Sequence, residues 1–229
     1  MSALRVGGLV PLTTVDWPGA LAAVVFCQGC PWRCPYCHNP HLLPARGAHS
    51  VPWAEVRRLL ERRRGLLDGV VFSGGEPTVQ PTLAAALDEV RGLGFRTGLH
   101  TAGPYPRRLA ALLPRLDWVA LDVKAPLARY DDLTGVPGSG KRLARSLTVV
   151  LERAARWELR TTVDPDLLDR AALLALAREL AARGVRRWVL QRHRPPAGAA
   201  PPARPDPLDE PGLLEALRAH VPALAVRGA

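Results

Sequence analysis

The sequence predicts an α/β fold in which parallel strands alternate with covering helices. Three observations carry that expectation. Short apolar runs of strand length recur between amphipathic segments of helical period. The runs are apolar throughout rather than alternating, as in strands buried on both faces. Polar, chemistry-bearing residues stand just past the ends of these runs, where α/β enzymes gather their active sites.

The elements follow in order. Leu21–Phe26 (LAAVVF) reads as the first strand and Trp53–Arg64 as a helix. Gly69–Phe72 is the second strand, and Thr82–Leu93 is a helix opened by Pro81, a residue suited to a first turn. Thr97–Thr101 and Trp118–Asp122 are the third and fourth strands, separated by a helical stretch near Arg107–Leu113. Lys141–Arg156 is helical, Glu158–Val163 is the fifth strand, and Asp169–Arg183 is a helix ended by Gly184. Arg187–Gln191 is the sixth strand. Six β/α units suit a partial barrel or an open doubly wound sheet. The Pro-rich stretch Arg194–Pro207 reads as a stiff connection, followed by a helix over Leu208–His220 and a closing strand at Leu224–Arg227. Residues 1–229 are expected to form a single domain.

Composition narrows the function classes. The longest apolar run, Leu21–Cys27, is far too short to span a membrane. The start, Met1–Arg5, lacks a signal-peptide pattern, so a cytoplasmic setting is expected. The formal charge of +10 comes from scattered arginines, and only Lys124 and Lys141 are lysines. That spread fits a coding bias better than a nucleic-acid groove, so no nucleic-acid partner is expected; an acidic protein partner is compatible.

All four cysteines lie within eleven residues, Cys27-Gln-Gly-Cys30-Pro-Trp-Arg-Cys34-Pro-Tyr-Cys37. Reduced cytosolic thiols so clustered favour metal over disulfides. Cys30, Cys34 and Cys37 offer three thiolates to one centre. An iron–sulfur cluster normally takes four cysteines, so three would leave one iron open to a substrate or cofactor. The competing pattern pairs Cys27 with Cys30 and Cys34 with Cys37, as zinc sites do. Zinc ribbons separate such pairs by about a dozen or more residues, whereas three intervene here. Cys27 reads as the last residue of its strand, a small buried hydrophobe. Past the other strand ends stand Ser73-Gly74-Gly75-Glu76-Pro77, His100-Thr101, Asp122-Val123-Lys124, Asp164 and His193. The strand positions themselves read as apolar, which confines the chemistry to the loops. Asp122 and Lys124 alternate, so their side chains point the same way, though a rim ion pair is the usual fate of such residues. Gly74-Gly75 alone is as readily a tight turn, and His38 with Asn39 as readily a helix cap.

Cys30-x3-Cys34-x2-Cys37, with Tyr36 before the third cysteine and Gly74-Gly75-Glu76-Pro77 after the second strand, resembles the radical S-adenosylmethionine (SAM) enzymes. More narrowly, the chain resembles the glycyl-radical-enzyme activating proteins through Asp16-Trp17-Pro18-Gly19, the run Gln28–Pro40 and Asp122-Val123-Lys124. Leu133-Thr134-Gly135, Arg160–Val163 and Val189–Pro195 add to this. Together they look most like the activase of the anaerobic ribonucleoside-triphosphate reductase, over about Gly8–Pro195.

The resemblance implies a partial (β/α)6 TIM-type barrel. It implies a [4Fe–4S] cluster on Cys30, Cys34 and Cys37, with SAM on the open iron. One electron from the reduced cluster would break the sulfonium bond to the 5′-carbon, leaving methionine and a 5′-deoxyadenosyl radical. That radical would take a hydrogen atom from a glycine Cα of the partner enzyme. SAM contacts are implied at Tyr36, Cys37, His38, Gly74, Gly75, Glu76, Asp122, Val123, Lys124 and His193. Glu76 would meet the methionyl ammonium, Asp122 the ribose hydroxyls and Lys124 the carboxylate. A flavodoxin or ferredoxin would donate the electron. Alternatives are an activase for pyruvate formate-lyase, a small-molecule radical SAM enzyme of the queuosine-precursor type, and a non-enzymatic zinc- or iron-sensing module.

His100 stands where such activases often carry an acidic residue, which leaves a monovalent-cation site there without its carboxylate. With no further cysteines, an auxiliary cluster is excluded. Replacing Cys30, Cys34 or Cys37 by Ala is expected to abolish SAM cleavage, while Cys27→Ala retains most of it. Loss of the cluster in the Cys27 variant, read by iron and sulfide content, would sink the three-ligand assignment.

Overall fold

The computed structural model describes residues 3–47, 50–195 and 200–228. The first two residues of Met1–Arg5, and residues 196–199 of the Pro-rich stretch, lie outside the described residues. The chain runs β1 (Val6–Thr13), β2 (Ala22–Cys27), α1 (Trp53–Arg62), β3 (Gly69–Gly74), α2 (Leu83–Gly92), β4 (Arg96–Thr101) and α3 (Pro106–Leu112). It continues β5 (Trp118–Asp122), α4 (Tyr130–Thr134), α5 (Ser139–Arg153), β6 (Trp157–Val163), α6 (Arg170–Ala181), β7 (Arg187–Arg192), α7 (Leu213–Arg218) and β8 (Ala223–Arg227). The strands form one sheet in sequence order. β1 and β2 are an antiparallel hairpin, and every later pair is parallel. The six expected strands are β2 to β7, the core of a partial barrel, with one added strand at each edge.

The helices form where apolar side chains recur at helical spacing. In α2, Leu83, Ala86, Leu87 and Val90 make a buried stripe. In α6 the stripe is Leu173, Leu176, Ala177 and Leu180, and the Asp169 carboxylate caps the first turn by accepting from Ala172 N at 2.8 Å. The expected Leu208–His220 helix shrinks to α7, because Pro211 and Gly212, at φ +72°, break its first half. β1 escaped the sequence reading. Its Gly7, Gly8 and Pro11 weigh against a strand, but its pairing carries bulges, and an edge strand tolerates proline.

Side chains of β2 divide alternately between two cores, as strand geometry demands. Ala23, Val25 and Cys27 join the large core under the helices, while Ala22 and Val24 join a smaller core inside the barrel. Cys27 is fully buried on the helix side. The inner core centres on Trp17, from the β1–β2 connection, stacked on Trp118 with centroids 5.6 Å apart. Glycines on β3 and β4 make room for it. A Cβ on Gly69 would lie 2.8 Å from the Trp17 ring, and one on Gly98 3.0 Å away. Trp17 is therefore a wedge in the floor of the barrel.

Trp17→Ala is expected to cost about 3–5 kcal/mol of stability, whereas Val15→Ala, on the exposed part of the same connection, should cost less than about 0.5 kcal/mol. Urea unfolding of the reduced protein measures both.

Candidate active site

The cysteine loop follows β2 and is held by main-chain bonds from several directions. Gly29 N donates to Leu42 O at 2.8 Å, Cys30 N to Leu43 O at 3.0 Å and Arg33 N to Thr134 O at 2.9 Å. The buried Gln28 amide donates to His41 O and Pro44 O at 3.1 and 2.7 Å, fixing the return of the loop. Trp32 packs edge-on against buried Tyr130, centroids 5.8 Å apart. Tyr130 in turn accepts from Lys124 N at 2.7 Å and donates to Asp122 O at 3.3 Å. The cysteine loop and the Asp122–Lys124 turn are thereby one packed unit.

Cys30, Cys34 and Cys37 line a cavity at the C-terminal ends of the strands, facing Gly74, Gly75, Asp122 and Lys124. Tyr36 and His38 line it too. Burial pushes the Cys30 thiol up to about 12 and also raises Cys34, against the pull of the Lys124 ammonium. These thiols are neutral until iron displaces their protons. Cys27 stays outside the cavity, with its thiol raised by burial beside Glu76. Among the described residues, no three His, Cys, Asp or Glu side chains converge as on a single ion. Three cavity-facing thiols with the fourth turned away suit a cubane cluster, whose cysteines bind separate irons, and not a four-thiolate zinc ion.

The glycine turn does something other than the sequence suggested. Gly74 is at φ +112°, and a Cβ there would lie 2.4 Å from Cys27 N. On Gly75 it would lie 2.5 Å from Gly29 O. Both glycines line the cavity, but the chain's own backbone is what requires them. Glu76, expected at the methionyl ammonium, turns its side chain into hydrogen bonds of the chain itself. It is 1% exposed and absent from the cavity wall. Its carboxylate accepts from Thr78 N (3.1 Å), Thr78 Oγ1 (2.5 Å), Thr101 Oγ1 (2.7 Å) and Ala102 N (2.9 Å). Burial raises it above the usual carboxylate range against these four bonds. Val123 is likewise buried and outside the cavity; its carbonyl accepts from Thr161 Oγ1.

His193 lines a second recess that shares Tyr36 and Cys37 with the cavity and adds Asp164. Its ring stacks on His38 at 5.2 Å, with Nε2 3.8 Å from Asp164 Oδ2. Among the described residues, buried Nδ1 of His193 and the Tyr36 hydroxyl have no hydrogen-bond partner. Burial lowers His38.

Asp122 and Lys124 do share a face. Asp122 Oδ2 is 4.0 Å from Lys124 Nζ, which sits 5.5 Å above the Tyr36 ring. The Asp122 carboxylate accepts from Arg160 Nε and Nη2 at 3.1 and 3.0 Å. Burial would raise Asp122, but the Arg160 and Lys124 cations hold it below the usual range. Burial would also strip the Lys124 proton, yet Tyr36, Asp122 and Cys34 keep it well above its usual value.

Ser73, His100, Arg160 and Thr162 line the cavity from within strands, which corrects the expectation that loops alone carry the chemistry. Arg160 was named only within the Arg160–Val163 motif and given no role at the site, although one arginine inside the strand Trp157–Val163 was the available signal. His100 Nε2 lies 2.8 Å from Asp16 O and must donate to that carbonyl, leaving Nδ1 to accept from Ser73 Oγ at 3.2 Å. Arg160 Nη1 approaches the same Nε2 at 3.2 Å. Burial and that guanidinium push His100 down to about 3, so its ring is neutral. Where a monovalent cation was in question, the cation beside Asp122 is Arg160.

Residues 24–154 match the radical SAM superfamily. The chain belongs to that superfamily. As a radical SAM enzyme it carries a [4Fe–4S] cluster and uses SAM, and the three cavity cysteines are the donor set that fits. It is similar to a protein of Methanocaldococcus jannaschii named as a glycyl-radical enzyme activating enzyme, 28% identical over 72% of this chain and 70% of that one. It is also similar to the pyruvate formate-lyase-activating enzyme of Clostridium pasteurianum, 35% identical over 60% of this chain and 59% of that one. Among solved structures, QueE from Escherichia coli shares the fold at TM-score 0.60 and 18% identity, covering 99% of this chain and 94% of that one. Streptococcus suis SuiB bound to its precursor peptide SuiA does so at TM-score 0.70 and 16% identity, covering 90% and 48%. No helix among the described residues is long and apolar enough to cross a membrane.

Glu76→Gln leaves only one acceptor oxygen for donors that now share two. It is expected to lower stability by about 1–3 kcal/mol and to loosen the cysteine loop, measured by thermal unfolding and by cluster retention under a chelator.

Proposed function

We propose that this radical SAM enzyme is a glycyl-radical-enzyme activase, and that its partner is an anaerobic ribonucleoside-triphosphate reductase. The observation that carries the activase reading is the sequence likeness, across most of the chain, to relatives named as activating enzymes. Two motifs behind the narrower reading sit against the cavity. Asp16-Trp17-Pro18-Gly19 meets His100 through the Asp16 carbonyl. Leu133-Thr134-Gly135 receives the Arg33 N–H of the cysteine loop.

When bound, the cluster and SAM supply one-electron cleavage of the sulfonium and a carbon-centred hydrogen-atom acceptor. The chain's own groups bind and orient. Cys30, Cys34 and Cys37 would hold three irons of the cluster. Asp122, kept ionised by Arg160, would accept from the ribose hydroxyls, and Lys124 would meet the methionyl carboxylate as a charge-assisted donor. Backbone at Gly74 and Gly75 lines the same wall. The Glu76 side chain, engaged with Thr78, Thr101 and Ala102, would support the cysteine loop rather than meet the ligand directly. The one-electron donor is a flavodoxin or ferredoxin, and the setting is the cytoplasm, where thiols stay reduced.

Anaerobic reconstitution, reduction and addition of SAM is expected to release 5′-deoxyadenosine, and an added anaerobic ribonucleotide reductase should then show a glycyl radical by electron paramagnetic resonance. A radical on pyruvate formate-lyase alone would move the partner. Release of 5′-deoxyadenosine with no protein radical on either would overturn the activase reading. Asp122→Asn and Lys124→Met should each raise the SAM Kd about tenfold or more, the loss of one charge-assisted contact.

A further inference from the structure

The two most deeply buried indoles of the chain are Trp32 and Trp188. Trp188 has a partner, its Nε1 donating to Thr161 Oγ1 at 2.9 Å, and half-buried Trp53 has one in Glu89 at 2.7 Å. Trp32 differs: among the described residues, its buried Nε1 meets no acceptor. An indole nitrogen can only donate, and a buried donor left unpaired is costly enough to be rare in folded proteins. Trp32 is 1% exposed, so bulk water does not supply what is missing.

Its surroundings keep the ring from turning away. It packs edge-on against buried Tyr130, whose hydroxyl is bonded to the Asp122–Lys124 turn. The Trp32 carbonyl accepts from Arg33 Nη1 at 3.1 Å, and the same nitrogen donates to Cys30 O at 2.9 Å. Trp32 stands in the chain between Cys30 and Cys34 and lines the cavity with both. Among the described residues it is the one tryptophan on that wall. Its main chain already serves this centre: burial raises the Cys30 thiol, and a hydrogen bond from the Trp32 main-chain N–H draws it back. The thiol sulfurs leave the indole unmet. Asp122, the carboxylate of the cavity, is taken by Arg160. What cluster loading adds beside these two cysteines is inorganic sulfide, an anionic acceptor.

We propose that the indole N–H of Trp32 donates to a sulfide of the [4Fe–4S] cluster and so raises its reduction potential. Sulfur carries more negative charge in the reduced state, and a donor fixed on it favours that state. Hydrogen bonds to sulfur are among a protein's means of setting such potentials. Trp32 thereby eases the reduction that must precede SAM cleavage. The inference rests on the three-cysteine cluster and not on which enzyme the chain activates.

The test uses the full chain, reconstituted anaerobically, with iron and sulfide content measured first so that a missing cluster is told apart from a missing bond. With the indole nitrogen of tryptophan isotopically labelled, pulsed electron paramagnetic resonance of the reduced cluster is expected to show a hyperfine coupling to that nitrogen before SAM is added. Trp32→Phe should abolish the coupling. At a fixed poise, the ratio of reduced to oxidised cluster in that variant should fall about threefold or more. Loosened packing alone would admit water, which also donates to sulfur, and would not lower the ratio. Absence of the coupling in the unsubstituted chain overturns the proposal, and should the variant lose its cluster that spectrum alone decides. A coupling that appears only with SAM moves the acceptor to SAM and overturns it too. So does a ratio in Trp32→Phe that is unchanged or higher.

Discussion

The buried carboxylate of Glu76 is the constraint on which the rest of the site depends. A charge removed from water is costly unless its lone pairs are filled. Four donors fill them here, drawn from the turn after β3 and the end of β4. The main chain of the same residue donates to Gly29 O, and Gly75 N donates to Cys27 O. Three strand ends are therefore locked at one depth before any cofactor arrives. The cysteine spacing then needs only to place thiols on a loop whose root is already fixed. Gly74 and Gly75 serve the same lock, since any side chain there would push β2 and β3 apart.

Electrostatics inside the mouth follow from one fixed cation. Arg160 is nearly buried, holds Asp122 ionised, and keeps the neighbouring imidazole of His100 neutral. Lys124 adds a second positive charge that the aromatic face of Tyr36 and the Asp122 carboxylate keep protonated. The mouth thus has two cations to one carboxylate before iron loading. That excess suits thiolates and a carboxylate-bearing ligand. The neutral ring of His100 serves as a spacer, a donor to Asp16 O that ties the β1–β2 connection to the barrel wall.

Much of this was legible from residue patterns, and the failures have physical causes. Strands β2 to β7 were found because their buried faces give each a short, mostly apolar or β-branched run between helical segments. Trp118–Asp122 was bounded correctly because a charge and a proline-containing turn follow it. β1 was missed because an edge strand with bulges accepts the very residues, Gly7, Gly8 and Pro11, that argue against strands elsewhere. Arg160 was given no role at the site because its run reads as β-branched and apolar around it, and alternation over so few residues is easily overlooked. Glu76 was found, but not its partners. A sequence shows that an acid follows two glycines; it does not show that the side chain turns inward to threonines 2 and 25 positions away. His193 leaves β7 with its ring stacked on His38, a placement that depends on the path of the cysteine loop and not on the residues around His193 in sequence.

A closed barrel sets its own girth, because strand number and stagger fix the radius. Here β1 and β8 are the two ends of the sheet and do not meet. No ring of hydrogen bonds holds the wall at a given span. What sets the span is side-chain bulk and tethers: the indole of Trp17 between glycines of β3 and β4, and the Arg227–Glu158 clasp from β8 to β6. The wall is thus a leaf spring rather than a hoop. It can widen to admit a thick guest without any backbone ladder breaking, and the residues that govern the accommodation sit at the opposite end from the chemistry.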